Sequence, residues 1–228
     1  MGMKFMIGIW LAAAVCVQAK GLEFSELSKE MNAPADAATV TTDFNFTNKS
    51  DKPVTITKAD PTCSCLKAQI SGGKLKYGPG ESGVIRTTFE IGNFSGAVDK
   101  TLPIYLEGDG TDKPSILLSL RVHIPVLIGL EPKTLRWEVG GKPDPKTIQI
   151  RMAEGKTIRV TRVTSSSEAF KFELKTLEEG KSYDLVVTPL AIDAPAITIL
   201  RIDNDCEITK LRTQQAFAVM QKPAAINP

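Results

Sequence analysis

The sequence predicts an all-β chain of two tandem β-sandwich domains that follow an N-terminal export signal. Three observations support this prediction: apolar residues alternate with a period of two, turn residues separate the alternating runs, and an apolar segment lies near the N-terminus. Alternation with one apolar face is typical of a half-buried antiparallel strand. The chain has 228 residues, which leaves room for two domains of about 100 residues once the signal is removed.

Residues 1–19 are predicted to be a secretory signal peptide. Lys4 precedes an apolar run, residues 5–17, that has the length of a signal core and is too short to span a bilayer. Ala19 supplies the small residue expected before a cleavage site. An uncleaved anchor and a lipid anchor at Cys16 are the alternatives, and Val15 is a poor residue before a lipid-anchored cysteine.

The predicted compartment is the periplasm or the extracellular space. No second apolar segment approaches transmembrane length, so we expect no transmembrane segment in the mature chain. Lysine and arginine number 28 against 26 aspartates and glutamates, and no basic block argues for a nucleic-acid partner. No cofactor is implied. An exported chain meets an oxidising environment, in which disulfides persist.

The first domain is predicted to cover residues 20–125. Four runs alternate apolar and polar side chains: residues 40–46, 85–91, 102–106 and 116–124. Turn chemistry separates them, as in Gly78-Pro79-Gly80 and Gly108-Asp109-Gly110. Residues 22–31 fit either a first strand or a short helix.

The second domain is predicted to cover residues 129–220, after a short connection that begins at Pro125. Short runs of strand character, such as residues 170–174 and 197–202, are again separated by glycine or Asp-Asn turns. About seven short strands per block favour a sandwich over a βαβ fold. Residues 221–228 are predicted to be a disordered tail.

Motifs in the first domain resemble a known family. In order along the chain they are Phe44-Asn45-Phe46-Thr47-Asn48, Pro53-Val54-Thr55-Ile56, Cys63-Ser64-Cys65 and Pro79-Gly80-Glu81-Ser82-Gly83. This order resembles the bacterial family called domain of unknown function 1573, over roughly residues 22–125. The family's usual Cys-Gly-Cys stands here as Cys-Ser-Cys. The resemblance implies an exported Ig-like domain, with a second such domain after it, and it implies no activity.

Cys63 and Cys65 are the main candidates for chemistry. On an extended strand their Cα atoms would lie about 6.6 Å apart, which suits two thiols that bind a soft metal such as Cu(I) better than it suits a disulfide. Asp60-Pro61 suggests instead a turn in which the two cysteines form a reducible disulfide. A purely structural pair is the third interpretation. Cys206 is the odd cysteine of the mature chain, and a bond to either of the others is open.

Catalysis is not predicted. His123 is the only histidine, so a multi-histidine metal site is excluded. It falls on the polar face of its run. We therefore expect a non-catalytic binding, assembly or structural module of the cell envelope, with another envelope or secreted protein as partner. The alternative is copper binding or redox exchange through Cys63 and Cys65. The sequence lacks a Cys-x-x-Cys motif and tracts rich in methionine or histidine, which weighs against that alternative.

Overall fold

The computed structural model describes residues 17–19 and 21–223. The predicted signal peptide therefore lies outside the described residues except for its last three, and Cys16 lies outside them too. The predicted tail is described only as far as residue 223. Among the described residues, no helix is long and apolar enough to cross a membrane.

The fold is all-β, as the alternation predicted. The described residues form strands and two short 3₁₀ segments, Ser71–Gly73 and Thr209–Leu211. The chain divides into two compact units, with the change at Ile124 and Pro125. Each unit contains two sheets whose buried side chains form one core cluster.

Ten strands build the first unit within the described part of the chain. They are β1 (Val17–Ala19), β2 (Leu22–Phe24), β3 (Ser28–Asn32), β4 (Thr39–Asn48), β5 (Val54–Ala59), β6 (Leu66–Ile70), β7 (Lys76–Tyr77), β8 (Ser82–Glu90), β9 (Gly96–Leu106) and β10 (Ile116–Ile124). One sheet has the order β1-β2-β4-β8-β6, and the other has the order β3-β10-β9-β5-β7.

The segment that was ambiguous in the sequence forms two strands, not a helix. Leu22–Phe24 pairs antiparallel with β4 in one sheet, whereas Ser28–Asn32 pairs parallel with β10 in the other. The beginning of the domain thus contributes one strand to each sheet. The last strand of the domain, β10, pairs with the second of these, β3.

The alternation of apolar and polar residues determines which side chains of a strand lie in the core. In Ile116–Ile124, Ile116, Leu118, Leu120, Val122 and Ile124 are all buried, while Leu117 between them is 50% exposed. Burying each such side chain contributes about 1.5–3 kcal/mol relative to leaving it in water. Every buried polar side-chain atom among the described residues has a hydrogen-bond partner, so no unpaired polar group offsets this gain.

Apart from β1 and β7, which have no counterpart, the second unit repeats the topology of the first. Its strands are β11 (Ile128–Glu131), β12 (Thr134–Glu138), β13 (Lys146–Met152), β14 (Val160–Ser165), β15 (Phe170–Glu178), β16 (Ser182–Pro189), β17 (Ala196–Asn204) and β18 (Thr213–Gln221). The sheet orders are β11-β13-β16-β15 and β12-β18-β17-β14. The first two strands, β11 and β12, belong to different sheets, as β2 and β3 do in the first unit, and β12 runs parallel to the last strand, β18.

Trp137 occupies the core of the second unit. Its side chain is buried, its ring centroid lies 5.3 Å from that of Phe170, and its indole N–H donates to the carbonyl of Asp144 at 2.8 Å. The ring therefore packs among apolar groups while its polar atom stays bonded.

Gly83 allows aromatic rings to pack against strand β8. A Cβ at this position would lie 2.6 Å from Cε1 of Tyr77 and would also meet the ring of Phe46. Both rings are buried, and they contact each other edge to face at 4.8 Å. A side chain larger than a hydrogen atom does not fit at position 83, so glycine is required there.

We predict that Gly83→Ala lowers the free energy of unfolding by about 1–3 kcal/mol, because the added methyl group overpacks the core. Gly110→Ala is the matched control, since a Cβ there meets nothing within 4 Å. It should change stability by no more than about 0.5 kcal/mol. Urea unfolding followed by circular dichroism measures both, and equal midpoints for Gly83→Ala and wild type would contradict the packing argument.

Candidate functional site

The cysteine pair lies on the connection that crosses from one sheet of the first domain to the other. Strand β5 ends at Ala59 and strand β6 begins at Leu66, and these strands belong to different sheets. The Asp60 N–H donates to the carbonyl of Pro103 at 2.9 Å, and the Thr62 hydroxyl donates to the carbonyl of Thr101 at 3.2 Å. These bonds fasten the start of the connection to strand β9.

Cys63 and Cys65 form a disulfide within a turn. Their Cα atoms are 5.2 Å apart, shorter than the 6.6 Å expected of an extended segment, because the chain turns at Ser64. The Leu66 N–H donates to the carbonyl of Cys63 at 3.2 Å, and the Glu90 N–H donates to the carbonyl of Cys65 at 2.8 Å. The structure therefore adopts the turn, not the extended arrangement of two free thiols.

Cys206 bonds to neither of the other two cysteines. It is a free thiol buried in the core of the second domain, 4% exposed. Its backbone N–H donates to the Asn204 side chain at 3.0 Å, and its carbonyl accepts from Nε of Arg212 at 2.9 Å. The cross-domain disulfide left open by the sequence is absent, because Cys63 and Cys65 are bonded to each other.

Metal binding at Cys63 and Cys65 requires a change in the redox state of the two cysteines. Thiolates, not disulfide sulfurs, are the ligands of soft metals, so the bond would first have to be reduced. Both residues are half-buried against the core of the first domain. Among the residues that the structure describes, no three His, Cys, Asp or Glu side chains are grouped to hold a metal ion. The metal and redox roles of this pair stay predictions.

An aromatic and cationic patch flanks the disulfide. Phe94 is 43% exposed, and its ring centroid lies 5.5 Å from that of buried Phe89. The Lys100 ammonium lies 4.2 Å from the Phe94 centroid, within cation–π range. Glu90, next to Phe89, bonds the Cys65 carbonyl, so the patch adjoins the turn. Sequence reasoning missed this patch because its residues follow no shared periodicity.

One ion pair lies at the start of the same connection. The Lys58 ammonium donates to the Asp60 carboxylate at 2.7 Å, and this hydrogen bond raises the pKa of Lys58. Both side chains are exposed to solvent, so the pair contributes little to stability. It places one charge of each sign beside the turn.

The equivalent connection in the second domain carries hydroxyl groups instead of a disulfide. Between β14 and β15, the Ser166 N–H donates to the carbonyl of Ile199 at 3.0 Å, and the Ile199 N–H donates to Oγ of Ser166 at 2.9 Å. The Ser167 hydroxyl bonds the hydroxyl of buried Thr198. These serines hold the connection to strand β17, as Thr62 holds its counterpart to β9.

His123 lies on the solvent face of β10, and its partner is a carboxylate. Its Nε2 contacts the Glu30 side chain, and the imidazole is 41% exposed. Neither residue belongs to the connection that carries Cys63 and Cys65. The histidine and the cysteines therefore lie on different structural elements.

A groove of about 580 Å³ lies elsewhere on the first domain. Polar side chains such as Glu23, Asn45 and Lys74 line it together with the apolar side chains of Phe46 and Val84. It contains neither cysteine nor histidine.

These features define an all-β protein of two-sheet domains with a disulfide turn in the first domain. Residues 22–122 match the family described as "Protein of unknown function (DUF1573)". The resemblance to this family that the motifs predicted is therefore confirmed over residues 22–122. No curated protein matches the chain.

Several solved structures are similar to this chain at low identity and low TM-score. A protein of unknown function from Porphyromonas gingivalis W83 is 11% identical, covers 88% of this chain and 99% of its own, and has a TM-score of 0.34. The E. coli chaperone DraB is 12% identical, with coverages of 87% and 96% and a TM-score of 0.33. The YadV chaperone is 7% identical, with coverages of 86% and 99% and a TM-score of 0.33. At these scores the likeness carries no argument about function.

We predict a defined thiol count for a chain that begins at Lys20. Alkylation in denaturant without reductant should add one group, at Cys206, because Cys63 and Cys65 are bonded. Prior reduction should raise the number to three. Alkylation of the native protein should add none, since Cys206 is buried. Intact mass spectrometry reads each number, and three groups without reductant would contradict the disulfide.

Proposed function

We propose that this protein is an exported, non-catalytic module of two Ig-like domains, residues 20–125 and 129–220, that binds or assembles with another envelope or secreted protein. The observation that carries the proposal is the repeated topology. In both units two consecutive strands near the beginning, β2 and β3 or β11 and β12, belong to different sheets, and the second of them runs parallel to the last strand. That strand arrangement supports an Ig-like assignment for both domains.

The disulfide supports an extracytoplasmic location. Disulfides persist in oxidising compartments and are rare in the cytosol. The bond between Cys63 and Cys65 therefore agrees with removal of residues 1–19 during export to the periplasm or beyond.

Open sheet edges support a binding role. Strands β6 and β15 end the order of their sheets, so each has a strand neighbour on one side among the described residues. An edge strand can accept a partner's strand through main-chain hydrogen bonds, with side chains supplying specificity. Sandwich domains that act in this way need no catalytic groups.

Export gives the first test. When the full chain is produced in a bacterial host, we expect the mass of a chain that begins at Lys20, in the periplasmic or secreted fraction. Ala19→Arg should block cleavage and retain the signal, because the cleavage position requires a small residue. A full-length chain in the cytosol, or identical processing of both forms, would contradict the export proposal.

Thiol chemistry is the second candidate, and the half-buried disulfide of the first domain is the observation that favours it over other catalytic functions. Cys63→Ser with Cys65→Ser separates the two candidates. Closing so short a loop contributes only about 1–2 kcal/mol in the chain-entropy treatment, so the double variant should fold.

Crosslinking in intact cells, followed by mass spectrometry of the captured protein, then gives the readout. A binding module should yield the same envelope partner from wild type and from the double variant. Loss of that partner from the folded variant, or one Cu(I) bound per reduced wild-type chain and none by the variant, would instead support the thiol function.

A further inference from the structure

Strand β15 is a nine-residue edge strand of the second domain. It pairs antiparallel with β16, and a register shift between Thr176 and Glu178 ends the regular ladder. That irregularity leaves Leu177 57% exposed. Residues 170–176 therefore form the regular part of the edge.

The register shows which backbone groups face outward. The Leu190 N–H donates to the carbonyl of Ala169 at 3.0 Å, and Phe170 lies opposite Pro189, which has no N–H. Hydrogen-bonded and non-bonded positions alternate along an antiparallel pair. Odd-numbered residues of the regular part therefore bond to β16, and the backbone groups of Phe170, Phe172, Leu174 and Thr176 face the open edge.

The solvent face of β15 carries two charges without an opposite charge across the strand pair. Lys171 lies opposite Thr188, and Glu173 lies opposite Val186. The next residue on this face, Lys175, lies opposite Asp184. No ion pair among the described residues includes Lys171 or Glu173.

We propose that the open edge of β15 pairs antiparallel with β15 of a second copy of this chain, about a two-fold axis at Phe172. In this register Lys171 of each copy lies opposite Glu173 of the other. The dimer therefore contains two cross-strand pairs of opposite charge. The core-facing side chains of buried Phe170 and half-buried Phe172 and Leu174 then continue across the joined sheet. The two four-stranded sheets become one sheet of eight strands.

Neighbouring registers are less favourable. A two-fold axis at Glu173 places Glu173 opposite its own copy and Lys171 opposite Lys175, and like charges directly opposite are destabilising. An axis at Leu174 pairs Glu173 with Lys175, which already lies opposite Asp184, and leaves Lys171 opposite Leu177. The axis at Phe172 alone pairs both unmatched charges.

The inference goes beyond the proposed function, because it adds a second copy of this chain as a partner. In an isologous pair each copy uses the same edge, so the two β15 edges cover each other and neither can accept a further copy. The proposal therefore predicts dimers and not fibres.

Sedimentation velocity of the mature chain over a range of concentrations tests the proposal. We expect a reversible dimer from wild type. Lys171→Glu, and separately Glu173→Lys, should each raise the dissociation constant about tenfold, because two attractive pairs become repulsive. An equal mixture of the two single variants should restore the dimer as a heterodimer. Circular dichroism confirms that each variant is folded.

Lys175→Gln is the matched control and should leave the dissociation constant unchanged. A wild type that stays monomeric, a dimer insensitive to both charge reversals, or a mixture that does not recover would each overturn the proposal. Equal weakening by Lys175→Gln and Lys171→Glu would overturn the axis at Phe172. A monomer that is nevertheless exported and cleaved after Ala19 would refute self-pairing alone and leave the proposed function standing.

Discussion

Packing of two sheets against each other is the constraint on which each domain depends. The buried apolar side chains of a strand such as Ile116–Ile124 lie on one side of it, so they leave water only when a second sheet covers that side. The connections must therefore cross between sheets, and the first strand segment divides between them. The turn with Cys63 and Cys65 is one of these crossings, which explains why its anchors lie on strands distant in sequence.

The two domains hold the same crossing by different chemistry. The first domain uses a disulfide together with bonds from Thr62, whereas the second uses the hydroxyls of Ser166 and Ser167. Since the second domain has no covalent link there, the topology itself does not require one. The disulfide is therefore an addition to a crossing that hydrogen bonds can hold, and its presence beside Phe94 is a property of the first domain.

Sequence reasoning succeeded where burial alone decides structure. The alternation of Ile116–Ile124 predicted a strand because every second residue is apolar and faces the core. Residues 22–31 stayed ambiguous because two short strands in different sheets share no single period. The pairing of Cys63 with Cys65 could not be derived, since the turn depends on bonds to Thr101 and Glu90, which lie far along the chain. The open edge of the second domain was equally hidden, because edge position is a property of topology.

In each domain, the parallel pairing of an early strand with the last strand has a mechanical consequence. In both domains a five-residue strand near the beginning runs parallel to the closing strand, β3 beside β10 and β12 beside β18. Tension applied to the two ends of a domain pulls these neighbours in opposite directions along their length. The load then shears all the hydrogen bonds of the pair at once instead of opening them one by one. Resistance to such a force is set by the rate of unfolding and not by equilibrium stability. A chain built from two such domains is therefore suited to transmit tension between whatever its ends are attached to.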